Sequence, residues 1–518
     1  MGWIPLSHKK VIKSRYSLCT AYNMNTGLSR KTLTGPCFYY CKQKINTKCI
    51  EILWTMCYSN CSFMKGRVLY NTENSLQHGK TTMSFYLLNL RLNGIKNISK
   101  EIELEFYNKV LVGFNPEKHR VKAIYGENGS GKTAIMTAVS IAQKVVLSAN
   151  YLNQAETQTL LGEIINKVTR AFSIEFEFVF QDQKSLNAYR YGFTIQQNKS
   201  KTYEISHERL GAIKDYTKNK KYSTLIEIKE GQIIGAALNN EEFSELKEKT
   251  QNLLKTSSFL SRYFDGKVVY NNLSVGALLA VMFCSGINVY LEEEDMHEMY
   301  MISNSLNLIQ LNENNDTGYD KIESKREKQI SYMDSKGRDI VEKKDFTTYK
   351  NKIERLSNFL KLFKTDLKNI KIDKRDDGNV YRCELVLDYG KYKVAREFES
   401  TGIKKLIRMY DALVNADEGG ISFIDEMDSN LNDVYLCKII EYFTKYGKGQ
   451  LCFTTHNLDP MSVLKANRNS IDFLSGDNKI IPWKVTGNAA PDRYYRNGMI
   501  EDMPFNVDAI DFIGLFGE

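Results

Sequence analysis

Residues 126–133 read Gly126-Glu127-Asn128-Gly129-Ser130-Gly131-Lys132-Thr133, a complete G-x-x-x-x-G-K-[ST] run. Three glycines let the backbone curl so that successive N–H groups point inward at an anion. A helix opening directly after such a loop adds its positive dipole end. In this pattern Lys132 reaches the β- and γ-phosphates of a nucleotide, and the Thr133 hydroxyl ligates Mg²⁺. Context decides whether the pattern is functional. Val121-Lys122-Ala123-Ile124-Tyr125 reads as a buried strand. Ala134 onward lacks Gly and Pro and reads as a helix. Strand, loop and helix are the setting that the phosphate chemistry needs.

Hydrolysis requires a metal acid and a group that handles water. Ile421-Ser422-Phe423-Ile424-Asp425-Glu426 is an apolar run ending in two acids. A buried strand would deliver that pair to its carboxyl end, where parallel α/β sheets place their ligands. Asp425 is then the candidate Mg²⁺ ligand, and Glu426 the candidate that orients or deprotonates water. A further strand, Leu451-Cys452-Phe453-Thr454-Thr455, ends at His456, which could donate a hydrogen bond to the γ-phosphate. At Phe398-Glu399-Ser400-Thr401-Gly402 a Ser-x-Gly turn opens a helix and offers a second set of free N–H donors.

The order of loop, Ser-x-Gly turn, Asp-Glu strand and His strand resembles the ABC-type ATPase heads of the RecF, SMC and OLD groups. The chain is most similar to the AAA-family ATPases of abortive-infection and other phage-defence systems. Four segments carry that second resemblance: Tyr86 to Leu92, Tyr189 to Phe193, Ile424 to Leu431, and Tyr494 to Gly498. It covers residues 83–518, loosely in the middle. The usual Ser-Ser-Gly-Thr signature reads Ser400-Thr401-Gly402-Ile403 here, which keeps the Ser and Gly and loses one hydroxyl. The resemblance implies an α/β fold, a P-loop NTPase of ABC-ATPase type with an antiparallel β-subdomain and a helical insertion. It implies ATP and Mg²⁺, and a homodimer in which Ser400 and Gly402 cap the partner's nucleotide. The glutamine that links metal to the helical part in such heads has three candidates, Gln154, Gln158 and Gln181.

The 518 residues exceed a single small core and suit one large head with insertions. With 42% hydrophobic and 26% charged residues the composition is that of an ordinary soluble protein. The net charge of +9 is unevenly placed. Residues 1–82 hold twelve Lys/Arg against two Asp/Glu, which leaves 59 basic and 60 acidic groups for the remainder. A DNA surface would therefore need local clustering.

The same 82 residues contain Cys19, Cys37, Cys41, Cys49, Cys57 and Cys61. They are read as an atypical basic, Cys-rich segment outside the fold, since the family-like start falls at Met83. An accessory tail and a Cys₄ zinc site through the C-x₃-C pairs are the alternatives. Cys284, Cys383, Cys437 and Cys452 lie in apolar contexts and read as core residues of a reducing, cytoplasmic protein.

Residues 83–238 form the first half of the expected head, with period-two strands at Phe172 to Phe180 and Tyr189 to Ile195. Residues 239–371 read as a helical insertion with solvated charge runs at 321–328 and 343–361. Val275 to Leu291 reads as a buried helix within it, too short and broken to span a bilayer. Residues 372–518 form the second half, with strands at Tyr381 to Tyr389 and Tyr392 to Phe398.

The reading favoured by the resemblance is a regulatory or sensor ATPase of phage defence acting with a separate effector protein. A RecF- or SMC-like repair ATPase that binds DNA is the first rival. An OLD-type nuclease is disfavoured, because the 62 residues after His456 leave no room for a Toprim domain. A transporter subunit is disfavoured by the large polar insertions, so no membrane partner is expected.

Overall fold

Apolar runs and period-two patterns divide the strands between a sheet buried on both faces and sheets wet on one. The computed structural model describes residues 84–500, apart from 108–110, 182–185, 215, 217–220, 251, 265–270, 293–331, 334–336, 468 and 485–489. The basic Cys-rich segment and its zinc alternative lie outside the described residues, as does the charge run at 321–328.

Among the described residues the fold is mixed α/β with three sheets. Strands β1 (Ser84–Asn93) and β2 (Ile102–Glu105) belong to the first, and β3 (Val121–Gly126) to the central one. Strands β4 (Ala171–Gln181), β5 (Leu186–Gln197), β6 (Tyr203–Ile213), β7 (Ser223–Lys229) and β8 (Gln232–Ala236) extend the first into a seven-stranded antiparallel sheet, order β2-β1-β4-β5-β6-β7-β8. Alternation along β4 is regular: Phe172, Ile174, Phe176 and Phe178 are buried while the residues between them are half-buried.

The central sheet adds β9 (Ile287–Tyr290). A third, antiparallel sheet is built from β10 (Tyr332–Met333), β11 (Asp339–Glu342), β12 (Asn369–Asp377), β13 (Val380–Asp388) and β14 (Lys393–Ala395). The central sheet is completed by β15 (Ile421–Ile424), β16 (Gln450–Thr454), β17 (Ile471–Leu474) and β18 (Ile480–Pro482), in the order β18-β17-β3-β16-β15-β9. All its pairings are parallel except β17 with β18. Every residue of β3, β15, β16 and β17 is buried, as expected for a sheet covered on both faces.

Helix α1 (Lys132–Leu147) follows β3, and α2 (Ala155–Ile164) precedes β4. Helices α3 (Asn240–Thr250), α4 (Phe259–Tyr263) and α5 (Asn272–Ser285) lead into β9. Between the first sheet and the central one, α5 packs against α1, β5, β6 and β7. Phe283 stacks on Phe178 with ring centroids 4.0 Å apart. A Cβ on Gly276 would come within 2.4 Å of a Leu225 methyl, so that helix needs glycine there. Helix α6 (Phe346–Leu360) buries Tyr349, Ile353, Leu356 and Leu360 on one stripe. Helices α7 (Thr401–Asp417) and α8 (Asp433–Lys445) contribute Met409, Leu413, Ile440 and Phe443 to the core beside the central sheet. Short α9 (Pro460–Leu464) and α10 (Pro491–Arg496) are the last helices among the described residues.

The stretch 239–371 is not uniformly helical. The apolar run Val275 to Leu291 splits at Gly286, which ends α5 and lets Ile287–Tyr290 pair with β15 as an edge strand of the central sheet. The strand expected from Tyr392 to Phe398 is shorter. Only Lys393–Ala395 pairs, and a 3₁₀ turn follows as Arg396 bonds to Asp339 at 3.2 Å. No helix among the described residues is long and apolar enough to cross a membrane. Cys284, Cys383 and Cys452 are free and buried, whereas Cys437 is half-buried.

An ion pair and a carboxyl group are among the polar side chains deep in this architecture. Lys122 and Asp472 pair at 2.5 Å across β3 and β17, both almost fully enclosed. Glu208 on β6 is 1% exposed and accepts hydrogen bonds from the Tyr191 hydroxyl at 2.8 Å and the Phe259 amide at 2.7 Å. Burial pushes its carboxyl up from 4.5 to about 7, against the pull of those hydrogen bonds. The folded state therefore holds this proton more tightly than the unfolded chain. Its stabilisation is complete below about pH 4.5 and is lost as pH rises through about 7. Full titration is worth roughly 3 kcal/mol. Melting temperatures at about pH 5 and about pH 8 should fall less with rising pH in Glu208→Gln than in the native chain. Equal slopes would refute the assignment.

Candidate functional site

The carboxyl ends of β3, β16, β15 and β9 lie side by side, and each leads into polar residues: Glu127, Thr455-His456, Asp425-Glu426 and Glu292. Crevices at the carboxyl ends of parallel strands are where open α/β sheets bind ligands. Sequence order placed Asp425 and His456 some 300 residues from the glycine loop; parallel pairing brings them to one edge.

The loop itself is built as its residue types require. Gly129 and Gly131 have φ of 79° and 110°, conformations that a side chain disfavours. A Cβ at Gly126 would meet the Leu474 carbonyl at 2.6 Å, so the third glycine answers a close approach from β17. Glu127, Asn128 and Gly129 are exposed, Ser130 is buried and Thr133 is half-buried. Helix α1 starts at Lys132 with Gly131 as its N-cap and no side chain capping its amides. The Ser130 hydroxyl is buried without a hydrogen-bond partner. Lys132 folds back on its own loop and donates to the carbonyls of Gly126 and Glu127, each at 2.9 Å. Burial holds its pKa below the ordinary value, opposed by Asp425, Glu426, Asp428 and Glu127. An ammonium in a ring of carboxylates, above open helix amides and an orphaned hydroxyl, fits a polyanion carrying a cation.

Opposite the loop, Asp425 is 1% exposed. Thr454 on β16 fixes it: the Thr454 hydroxyl donates to Asp425 Oδ1 at 2.6 Å and accepts the Glu426 amide at 2.7 Å. Glu426 is half-buried with φ of 44°, a left-handed conformation that costs a non-glycine residue on the order of 1 kcal/mol or more. Burial raises its carboxyl pKa, assisted by Asp425 and Glu292 and opposed by Lys405. His456 is exposed at the tip of β16. Partial desolvation among the crowded strand ends, and next Lys132, hold its imidazole below the ordinary pKa, with Asp428 and Asp425 opposing. A neutral ring keeps one N–H to donate. Asp428 anchors this corner by accepting from the amides of His456 at 3.2 Å and Asn457 at 3.1 Å.

Ser400 and Gly402 occupy the N-terminus of α7. The Ser400 hydroxyl accepts from the Ile403 amide at 3.5 Å, and its amide donates to Glu399 at 3.1 Å. The turn is exposed, with Phe398 beside it 76% exposed. A Cβ on Gly402 would lie 2.5 Å from the Asn430 carbonyl, so this glycine lets α7 close on the loop that follows Glu426. Of the three glutamines, Gln158 is committed to the backbone of Leu152 and Tyr203, at 2.7 and 3.0 Å. Gln154 accepts from Thr157, and Gln181 is exposed at the end of β4.

Two residues that the sequence did not single out complete the site. Lys405 on α7 is 0% exposed and donates to Glu292 at 3.0 Å, to the Glu426 carbonyl and to the Ser429 hydroxyl. Its signal was phase: Lys405 falls on the same helix stripe as Gly402, Leu406 and Met409. Glu292 ends an apolar strand just as Asp425 does. No model of a known protein family and no curated protein matches this chain.

Proposed function

We propose that the chain is an ATPase of P-loop, ABC-head type that binds MgATP along the carboxyl edge of the central sheet. The single observation that carries this reading is the facing of Lys132 and the open α1 amides by Asp425, Glu426 and His456 across adjacent strands. The loop amides, the Ser130 hydroxyl and Lys132 would hold the phosphates, with Lys132 exchanging the carbonyls of Gly126 and Glu127 for phosphate oxygens. Thr133 and Asp425 would hold Mg²⁺, which offsets phosphate charge when bound. Glu426, made more basic by its surroundings, takes the role of orienting water and accepting its proton; neutral His456 donates to the terminal phosphate. Phosphate release from ATP by the purified chain, dependent on Mg²⁺, tests this reading. Absence of turnover in folded protein would sink it.

The same reading makes Ser400 and Gly402 a cap for a partner's nucleotide in a homodimer. The exposure of the Ser400 turn at a helix N-terminus favours that use. A Ser400→Arg chain and a Lys132→Ala chain should then complement when mixed, since the mixed dimer retains one intact composite site. Random exchange makes roughly half the dimers mixed, so about a quarter of the native rate is expected for independent sites. Full activity in Ser400→Arg alone would exclude the cap. The resemblance of its motifs to those of defence ATPases supports, as the biological reading, a regulatory or sensor component of phage defence with a separate effector.

A further inference from the structure

A fully enclosed ammonium is an expensive way to fill a core. Desolvation costs several kcal/mol per ion, and an apolar side chain of similar volume would pack α7 at least as well. Lys405 meets this cost with three acceptors, of which two, the Glu426 carbonyl and the Ser429 hydroxyl, belong to the loop after β15. The third, Glu292, belongs to the end of β9. The peptide groups on either side of Glu426 are thereby both held by side chains: its amide by Thr454 and its carbonyl by Lys405. Between those two clamps the residue sits at φ of 44°, a conformation that persists only when its surroundings enforce it.

Lys405 is also one turn from Ser400 and Gly402. At Gly402 the same helix touches the same loop, against the carbonyl of Asn430. The N-terminus of α7 and the loop 426–430 are therefore joined at two points, one of closest approach and one of charge-assisted hydrogen bonding. A shift of the helix end must be felt at the Glu426 backbone.

We propose that Lys405 is a positioning residue that ties the Ser400–Gly402 end of α7 to Glu426, so that the placement of the helix sets the placement of the carboxylate. This rests on the ATPase reading. Lys405 touches neither substrate nor reacting atoms; it acts through Glu426.

The test uses the full chain and two variants. Lys405→Met removes the clamp, and Lys405→Met/Glu292→Gln removes it together with the charge that would be left to the Tyr290 hydroxyl at 3.2 Å and Arg408 at 4.0 Å, which protects the fold. Affinity for a fluorescent ATP analogue, kcat and KM for ATP, and the melting temperature are measured for each. A misplaced catalytic group costs about 10²-fold, so kcat should fall by about that factor. KM and analogue affinity should stay within about threefold of the native values, because binding does not depend on the clamp. A folded double variant with native kcat would overturn the inference, as would a loss of kcat that merely follows a loss of nucleotide affinity. Failure of the ATPase reading has a different pattern: native protein and Lys132→Ala would then release phosphate equally, or not at all, whatever Lys405 does.

Discussion

Glu426→Gln should slow ATP hydrolysis on the order of 10²- to 10⁴-fold, the usual loss for a positioned base, and leave nucleotide binding intact. The substitution is nearly isosteric and removes only the acceptor of the proton. Its backbone clamps, Thr454 on the amide and Lys405 on the carbonyl, do not depend on the side chain. Losing one negative charge beside Asp425 also relieves the repulsion that adds to burial in raising the Glu426 pKa. The variant should therefore bind MgATP at least as well as the native chain and hold it without turnover. If dimers form around bound nucleotide, this is the variant in which they accumulate. Native kcat in Glu426→Gln would mean that another group handles the water.

Lys132→Ala should abolish productive binding. Charge-assisted hydrogen bonds contribute about 1.5–3 kcal/mol each, so two lost phosphate contacts weaken affinity by roughly 10²- to 10⁴-fold. The fold should survive, since the hydrogen bonds of the ammonium go to the carbonyls of Gly126 and Glu127 in its own loop. A melting temperature near the native one is the control that separates lost binding from lost structure. Native affinity in the folded variant would remove Lys132 from the site.

Much of this site was legible in the chain because its parts are local. Gly126 to Thr133 carries its own geometry, and the strands ending at Asp425 and His456 are apolar runs with abrupt polar ends. The period-two strands Phe172 to Phe180 and Tyr189 to Ile195 were equally plain, because one wet face imposes alternation. What stayed hidden depended on partners distant in sequence. Ile287–Tyr290 followed α5 within one mostly apolar stretch, where four residues are too few to show a period and Gly286 marks the division. Lys405 sat next to Lys404 in a helix with many charges. Its enclosure follows from acceptors at Glu292, Glu426 and Ser429, which no spacing rule connects. Glu208 was masked in the same way, as one acid of a half-wet strand whose phase happens to point inward at Tyr191 and Phe259.

The central claim is that the carboxyl edge of the parallel sheet holds MgATP. Its most direct test is calorimetric titration of the full chain with ATP and Mg²⁺, in parallel with Lys132→Ala. The expected result is saturable binding of one nucleotide per chain that requires Mg²⁺ and is lost in Lys132→Ala. Absence of binding to the folded native chain, or binding undiminished in Lys132→Ala, would contradict it.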